Sequence, residues 1–149
     1  MATNRIMRVL KKADLSAIVA IDEMTSGSNR RQYYERKIET ITDPERSINS
    51  SLVAEVDGKV VGFVMGDVYF GEFGIPETTA TIDTLGVDPR VQNKGIASEL
   101  LDQFLMNMKA AGVNKIYTLV NWDDFALERF FSHHKFVPSK RINLEYQLP

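Results

Sequence analysis

The sequence predicts one α+β domain over residues 1–149, in which a mixed, mostly antiparallel sheet of six to seven strands packs against about four helices. Three observations carry this prediction. Short β-rich segments are bounded by turn residues, apolar residues recur at helical spacing in longer segments, and one strand–helix–strand passage requires a parallel pair. At 149 residues and 44% apolar content the chain can form one core, and no linker or repeat divides it.

The first half of the chain is predicted as strand, helix, helix and hairpin. RIMRVL is the first strand, and Asp14 is the N-cap of the first helix. The apolar stripe of that helix comprises Leu15, Ile18, Val19 and Ile21. A more polar helix follows in SNRRQYYERKIETI, and its anchors are Tyr33, Tyr34 and Ile38. SLVAEV and KVVGFVMGDVYF then form a hairpin, because the Asp57–Gly58 pair between them supplies the positive φ that a tight turn requires.

The second half supplies the parallel pair. TATIDTLGV is a fourth strand that stops before Pro89, and the clearest helix of the chain runs from near Gly95 to Gly112. NKIYTLVN is predicted as a strand buried on both faces and parallel to the fourth, since a helix connects the two. DDFALERFFSHH forms a fourth helix with Phe125, Phe130 and Phe131, and KFVPSKRINLEYQL closes the chain as one or two strands around Pro138.

Composition argues against several classes of function. A net charge of −2 and a pI of about 5.7 give no cationic field for nucleic acid or for an anionic membrane. The sequence contains no cysteine, which excludes disulfides, thiolate nucleophiles and iron–sulfur clusters. His133 and His134 are neighbours and do not match the i, i+4 spacing of a metal pair, so no metal is expected. The charged N-terminal segment resembles neither a signal peptide nor a membrane span, which predicts a cytoplasmic protein.

The segment VQNKGIAS, residues 91–98, is a polar loop that leads into the third helix. The first amide groups of a helix have no intrahelical acceptor and the macrodipole adds positive potential, so phosphates bind there. Gly95 has no Cβ and Ala97 has a small side chain, which lets a diphosphate approach the backbone. The alternative is an ordinary turn. Neither GxGxxG nor the nucleoside-triphosphate loop GxxxxGK[ST] is present.

This segment resembles the acyl-CoA signature of the GNAT superfamily of N-acyltransferases. In LGVDPRVQNKGIASELL, residues 85–101, a strand ends in Val-x-Pro and the pattern [QR]-x-x-G-x-[GA] is filled by Gln92, Gly95 and Ala97. The order of strands and helices resembles the family over nearly the whole chain. The resemblance implies acetyl-CoA as cosubstrate, parallel fourth and fifth strands that splay apart, pantetheine along the fourth strand and diphosphate on the loop. The cofactor-binding residues it implies are Leu85, Gly86, Val87, Gln92, Asn93, Lys94, Gly95, Ile96, Ala97, Ser98, Asp124 and Phe131.

The last helix departs from the family pattern. The family often has Asn-x-x-Ala-x-x-x-Tyr-x-x-x-Gly-Phe there, and alignment on Phe136 places Asp124, Leu127, Phe131 and Lys135 at the other four positions. The family's Tyr commonly protonates the leaving thiolate, and Phe131 has no hydroxyl. Three alternatives stay open. Another hydroxyl, from Tyr117, Ser132 or Tyr146, acts as the acid; the thiolate leaves unassisted; or catalysis is lost.

Asp83 is the candidate general base, because it interrupts an apolar strand just before the cofactor segment. Strand alternation places it on one face with Thr81, Leu85 and Val87, unless a bulge near Thr84, common in the family, changes that parity. The alternative is a solvent-facing or salt-bridged carboxylate. Four other acidic residues are candidates for holding a cationic acceptor: Asp22, Glu23, Glu72 and Glu77.

The expected function is an N-acetyltransferase in which a primary amine of a small molecule or protein directly attacks acetyl-CoA in a ternary complex. The first alternative is a non-catalytic acyl-CoA sensor or interaction module on the same fold, motivated by Phe131. The second is a binding domain without CoA. The expected partner is an amine acceptor of unidentified structure rather than nucleic acid or membrane, and the polar second helix could pair protomers in a homodimer.

Overall fold

The computed structural model describes residues 4–45, 49–92 and 95–149. Contacts between residues separate the chain into two compact units, residues 1–118 and 119–149. No helix within the described ranges is long and apolar enough to cross a membrane.

The first unit contains a five-stranded sheet in the order β1-β2-β3-β4-β5. The strands are β1 (Arg5–Val9), β2 (Leu52–Val56), β3 (Lys59–Phe70), β4 (Thr78–Val87) and β5 (Lys115–Thr118). β1 to β4 are antiparallel neighbours, and β5 runs parallel to β4. The predicted mixed sheet and its parallel fourth and fifth strands are confirmed. The Asp57–Gly58 turn between β2 and β3 has φ values of 51° and 82°, as the hairpin prediction requires.

The described residues form four α-helices, as predicted: α1 (Leu15–Ser26), α2 (Arg31–Ile41) and α3 (Ile96–Ala110) in the first unit, and α4 (Phe125–His133) in the second. α1 and α2 pack on one face of the sheet, where Ile21 and Ile38 join Phe63 and Met65 in one buried cluster. α3 covers the other face, since Gly62 on β3 lies directly under Leu100. This face buries the α3 residues Ile96, Leu100, Leu101, Phe104 and Met108.

Several packing predictions were wrong. Tyr33 is 42% exposed, while Ile41 on the same helix is buried, because the inner stripe of α2 follows Tyr34 and Ile38 rather than Tyr33. β5 is half-buried instead of buried on both faces, and it ends at Thr118 rather than at residue 121. Asp14 is the N-cap residue of α1, as predicted, but its carboxylate makes no capping bond to the helix: it accepts from the Lys11 amide and from Arg8, each at 2.8 Å.

A β-bulge interrupts the pairing of β3 with β4. Met65 pairs with Thr84 and Gly66 with Ile82, so Asp83 is the extra residue of β4. Gly66 is required at this point, because a Cβ atom there would lie 2.3 Å from the Thr81 carbonyl oxygen and 2.7 Å from the Phe104 ring. The bulge that the sequence analysis left open near Thr84 is present, one residue before it. It turns Asp83 out of the regular alternation of the strand.

The second unit consists of α4 and an extended C-terminal segment. Phe131 is buried, and its ring packs on those of Phe130 and Phe136 at centroid distances of 5.3 and 5.0 Å. Phe125, which was predicted to join them, is 61% exposed at the first turn. The prediction of one or two strands around Pro138 is not met: residues 135–149 form no strand, so the sheet has five strands instead of six to seven among the described residues. A strand requires a hydrogen-bonded neighbour, and this segment pairs with no strand among the described residues.

Candidate active site

Among the described residues, the β5 side of β4 has no paired strand over the second half of β4. Its pairing with β5 ends at Ile82 and Thr118, where the Thr118 hydroxyl donates to the Ile82 carbonyl oxygen at 2.9 Å. β4 continues from residue 83 to residue 87 with its β3 partners but without β5. Backbone donors and acceptors along this stretch are therefore available to an extended ligand.

A short passage joins this open edge to α3. The Asp88 amide donates to the Val61 carbonyl at 2.8 Å, which fixes the end of β4 to β3. The Asp88 carboxylate then caps a 3₁₀ turn at Pro89–Val91 by accepting from the Arg90 amide at 2.9 Å. Hydrogen bonds from Arg90, opposed by burial, lower the pKa of Asp88. The carboxylate therefore holds the turn that leads from the strand to the helix.

Among the described residues, the N-cap position of α3 supplies no side-chain hydrogen bond to the first turn of the helix. Gly95 is the N-cap residue, with φ at 78°, a left-handed conformation that glycine adopts without strain. The Glu99 amide is bonded to the Gly95 carbonyl at 3.0 Å, so the amides of residues 96–98 lie before the first intrahelical bond. These are the predicted positions Ile96, Ala97 and Ser98. Gln92 lies just before this turn, whereas the predicted contacts Asn93 and Lys94 fall outside the described residues.

The predicted pantetheine segment alternates between the two faces of the sheet. Leu85 pairs with Val64 and Val87 with Gly62, on the face covered by α3. Gly86 pairs with Phe63 on the opposite face, where a Cβ atom would stand 2.7 Å from the Phe63 ring. The missing side chain at Gly86 is therefore explained by core packing, independently of any ligand.

Asp83 is salt-bridged on the face of the sheet that carries α1 and α2. Its Oδ1 atom accepts from the Thr81 hydroxyl at 2.9 Å, and its Oδ2 atom pairs with the Lys37 ammonium of α2. The prediction that Asp83 shares one face of the sheet with Thr81, Leu85 and Val87 was half right. Asp83 shares its face with Thr81, but the bulge places Leu85 and Val87 on the other face. Asp83 as a whole is exposed, but only 23% of its side-chain surface is accessible to solvent. Much of its exposed area therefore belongs to the backbone at the open edge of β4.

Lys37 is the residue that sequence reasoning missed. Burial by itself lowers the pKa of Lys37, but the hydrogen bond and the negative charge of Asp83 outweigh it and raise that pKa above its usual value. The spacing of residues in the sequence could have identified Lys37. Lys37 follows Tyr34 by three residues and precedes Ile41 by four, which places it on the buried stripe of α2.

Thr81 is the residue of β4 that links Tyr117 and Asp83. Tyr117 is the β5 partner of Thr81 in the parallel register, and the Thr81 hydroxyl donates to Asp83. The candidate acid and the candidate base thus flank one residue of β4, at the point where β4 and β5 separate. Tyr146 and Ser132, the other candidate hydroxyls, belong to the second unit.

Asp22, one of the candidates for holding a cationic acceptor, is already hydrogen-bonded to residues at the junction of α1 and α2. Its carboxylate accepts from Arg30 Nε at 2.8 Å and from the hydroxyl of the fully buried Tyr34 at 2.9 Å. The Arg30 hydrogen bonds lower the pKa of Asp22, although burial opposes them. The Arg30 guanidinium also lies 5.7 Å from the Tyr33 ring centre. This network fixes the junction of α1 and α2, so Asp22 has a structural role.

The remaining predicted residues have local structural roles. Asp124 is the N-cap of α4, where its carboxylate accepts from the Leu127 amide at 3.1 Å. Phe131 belongs to the aromatic cluster of the second unit. Glu77 lies 4.0 Å from Lys115, and Glu23 accepts from Asn29 at 3.4 Å. The described residues include no group of three or more His, Asp or Glu side chains that could hold a metal ion.

Comparisons with known proteins agree with this geometry. The model of the acetyltransferase (GNAT) family matches residues 16–136. An acetyltransferase from Pectobacterium atrosepticum is 30% identical over 125 residues, which cover 81% of this chain and 79% of that protein. The aminoglycoside N-acetyltransferase AAC(6')-Iy in complex with CoA has a TM-score of 0.81 at 13% identity, covering 99% of this chain and 97% of that one. Ard1 from Thermoplasma volcanium has a TM-score of 0.75 at 23% identity, covering 91% and 84%.

Proposed function

Because the chain belongs to the acetyltransferase (GNAT) family and is an acyltransferase, we propose that it transfers an acetyl group from acetyl-CoA to a primary amine in a ternary complex. One observation carries the proposal: β4 loses its β5 partner after Ile82, a capped turn at Pro89–Val91 follows the strand, and α3 begins shortly afterwards at the glycine N-cap Gly95. We further propose that residues 1–149 act as one domain. The family match runs across the boundary between the two units, which supports this.

In this proposal, the cosubstrate lies along the open edge and ends at α3. The pantetheine amides hydrogen-bond to the backbone of residues 83–87, as an added strand would. The diphosphate accepts from the amides of residues 96–98, where the helix dipole contributes positive potential. Solved relatives support this, since AAC(6')-Iy has been determined with CoA and with a bisubstrate analogue of CoA and acetylneamine.

The reaction is the direct attack of a neutral amine on the thioester carbonyl carbon. The new C–N bond forms as the C–S bond breaks, the amine loses a proton and CoA leaves as a thiolate that takes up a proton. Asp83 accepts the amine proton once Lys37 has moved aside, and Tyr117 supplies the proton to sulfur. Backbone amides of residues 85–87 stabilise the oxyanion, because they are fixed donors that need no reorganisation.

The acceptor is proposed to be a primary amine of a small molecule or of a protein. Similar folds occur in proteins named for aminoglycosides and for ribosomal-protein alanine. Those structures are less than 25% identical to this chain and so give no preference between the two classes. An approaching ammonium group has the correct charge to displace Lys37 from Asp83. The substrate therefore enters as a cation and is deprotonated at the site.

Isothermal titration with acetyl-CoA tests the cofactor site through two variants of Gly95. No atom of the described residues lies within 4 Å of a Cβ placed at Gly95, and Asn tolerates the left-handed conformation better than most residues. Gly95→Asp and Gly95→Asn therefore share size and shape and differ in charge. We expect the Asp variant to bind at least about tenfold more weakly than the Asn variant, since about 1.4 kcal/mol of repulsion suffices. Equal affinities would reject the site.

A second candidate function is an acyl-CoA sensor without turnover. The observation that favours it is that Phe131 lacks a hydroxyl and that Lys37 already occupies Asp83. Release of free thiol from acetyl-CoA in the presence of an amine panel decides between the two. Binding without thiol release from any amine would support the sensor and contradict the transferase.

A further inference from the structure

Lys37 is a primary amine that the folded chain itself holds at the proposed base. Its side chain extends from α2, and its ammonium group donates a hydrogen bond to the Asp83 carboxylate on β4. Only 22% of the Lys37 side chain and 23% of the Asp83 side chain are accessible to solvent, so the pair is partly enclosed. The proposed reaction requires a primary amine at this carboxylate. Before an external acceptor arrives, the amine in that position belongs to the chain.

The pair lies where the proposed cosubstrate site begins. β5 accompanies β4 only as far as Ile82, and Asp83 is the extra residue of the bulge that follows. The backbone edge of residues 83–87, proposed above to hold pantetheine, starts at this same residue. A nitrogen bonded to the Asp83 carboxylate therefore lies beside the proposed position of the thioester. Groups held next to each other react far faster than groups that must meet by diffusion.

We infer that Lys37 is a modification site: when no other amine is present, the chain transfers the acetyl group of acetyl-CoA to Nζ of its own Lys37. The inference rests on the proposed function, since it uses the same base and cosubstrate. Asp83 takes one proton from the ammonium group and passes it to solvent, and the neutral nitrogen attacks the thioester carbonyl carbon. The N–C bond forms as the C–S bond breaks, the nitrogen loses a second proton, and the CoA thiolate takes up one. The products are one amide, one free thiol and one released proton.

Acetylation changes the site as well as the lysine. It removes the positive charge of Lys37 and converts its amine into an amide, which is not a nucleophile. The modification therefore stops at one acetyl group at this position. It also removes the ion pair that occupies Asp83, which leaves the carboxylate available to an external amine.

Ordinary amine reactivity favours other lysines. Burial lowers the pKa of Lys37, but the hydrogen bond and the charge of Asp83 outweigh it and raise that pKa above its usual value, so the neutral amine is rare. Lys59 and Lys109 are exposed and provide the comparison. A reagent in solution should modify these two before the half-buried Lys37. Acetylation of Lys37 ahead of both therefore requires selection by the site.

Mass spectrometry of the full chain tests the inference without any added amine. The chain is incubated with acetyl-CoA and digested, and the acetylated fractions of Lys37, Lys59 and Lys109 are followed with time. We expect Lys37 to react at least about tenfold faster than either reference lysine. In a parallel sample treated with the N-hydroxysuccinimide ester of acetic acid, the order should reverse. If acetyl-CoA modifies Lys37 no faster than the reference lysines, the inference is wrong.

Dilution tests whether the reaction occurs within one chain. At saturating acetyl-CoA, we expect the rate constant at Lys37 to be unchanged when the protein is diluted about tenfold, because amine and base belong to the same molecule. A proportional fall in that rate constant would mean that another copy modifies Lys37, and would overturn the assignment to the chain's own base.

Two matched variants test the role of the carboxylate. Asp83→Asn removes the base and also frees Lys37 from its ion pair, and we expect acetylation of Lys37 to slow by at least about 10²-fold. Glu39→Gln neutralises an exposed carboxylate of α2 and should leave the rate within about twofold. Faster acetylation in Asp83→Asn would indicate uncatalysed reaction of a freed lysine and would contradict the inference. The comparison of lysines in the unaltered chain does not depend on how these variants fold.

The panel of external amines separates this inference from the proposed function. Thiol release with an external amine, together with an unmodified Lys37 after incubation without amine, would refute the modification and leave the transferase in place. The absence of both reactions in a chain that binds acetyl-CoA would refute both.

Discussion

The ammonium group of Lys37 on α2 donates a hydrogen bond to Asp83, the extra residue in the bulge of β4. The pair joins a helix on one face of the sheet to the point where β4 and β5 separate. It holds the carboxylate at that point and at the same time blocks it. The proposed base is therefore released when a competing cation arrives, which links acceptor binding to proton transfer.

Replacement of the proposed base should abolish most of the activity. We expect Asp83→Asn to lower kcat/KM for the best amine by about 10²- to 10⁴-fold, the usual contribution of a positioned general base. The affinity for acetyl-CoA should stay within about twofold, because the backbone of β4 is retained. Thiol-release kinetics and calorimetry measure the two quantities. Glu39→Gln, which neutralises an exposed carboxylate on α2, serves as control. Full activity of Asp83→Asn would remove Asp83 from the mechanism.

The Lys37–Asp83 pair should stabilise the fold up to high pH. The folded-state pKa of Lys37 is raised, so its stabilisation is fully present below the unfolded-state pKa of about 10.4 and is lost as the pH rises through the folded-state pKa. We expect Lys37→Met to lower the free energy of unfolding by about 1.5 kcal/mol between pH 6 and 9, because the variant loses a hydrogen bond to a charged group. The loss should become progressively smaller above about pH 10.4. Urea unfolding across this pH range measures it.

A matched control for this pair is Arg36→Met, which removes an exposed cation from the same helix. It should change the free energy of unfolding by less than about 0.5 kcal/mol at every pH. If Lys37→Met shows no loss at pH 7, the pair contributes nothing to stability and its role is confined to the site.

The Tyr34 hydroxyl should matter for stability far more than that of its neighbour. Tyr34 is fully buried and donates to Asp22, whereas Tyr33 is 42% exposed. We expect Tyr34→Phe to cost about 1.5–3 kcal/mol, because the lost bond is to a charged acceptor, and Tyr33→Phe to cost less than about 0.5 kcal/mol. Chemical denaturation at pH 7 measures both. Similar values for the two variants would contradict the proposed network.

The same network should weaken in acid. Asp22 has a lowered folded-state pKa, so its stabilisation is present above the unfolded-state pKa of about 3.9 and is lost as the pH falls through the folded-state value. The destabilisation caused by Asp22→Asn should therefore be largest near pH 7 and should shrink below about pH 4. A loss that stays constant from pH 7 to pH 2 would assign the effect to packing rather than to charge.

A Gly86→Ala variant distinguishes a role of Gly86 in core packing from a role in cofactor binding. In Gly86→Ala the new Cβ would lie 2.7 and 2.9 Å from two atoms of the Phe63 ring. We expect a loss of about 1–3 kcal/mol from overpacking, and recovery of part of it when Phe63→Leu is added. Thermal unfolding of the single and double variants measures this coupling. If Gly86→Ala is fully stable but no longer binds acetyl-CoA, the glycine serves the cofactor instead of the core.

Local patterns in the sequence were sufficient for much of the fold. Asp57–Gly58 identified the hairpin because its turn type demands positive φ, and the helix after Gly95 was evident from its apolar spacing. The parallel fourth and fifth strands followed from their helical connection. The position of the candidate cofactor loop could be predicted as well, since Gly95 and the polar residues before it are contiguous. Each of these features depends on residues that are neighbours in sequence.

The sequence by itself determined the order of strands and helices from β1 to α4 and the glycine start of α3, because backbone conformation is set by residues a few positions apart. Only the tertiary structure decided what Asp83 contacts, since its partner Lys37 lies 46 residues away on another element. It also decided that Asp22 is held by Tyr34 and that the alternating C-terminal pattern forms no strand among the described residues. Side-chain pairing and strand pairing depend on distances between remote segments, which composition and local spacing do not encode.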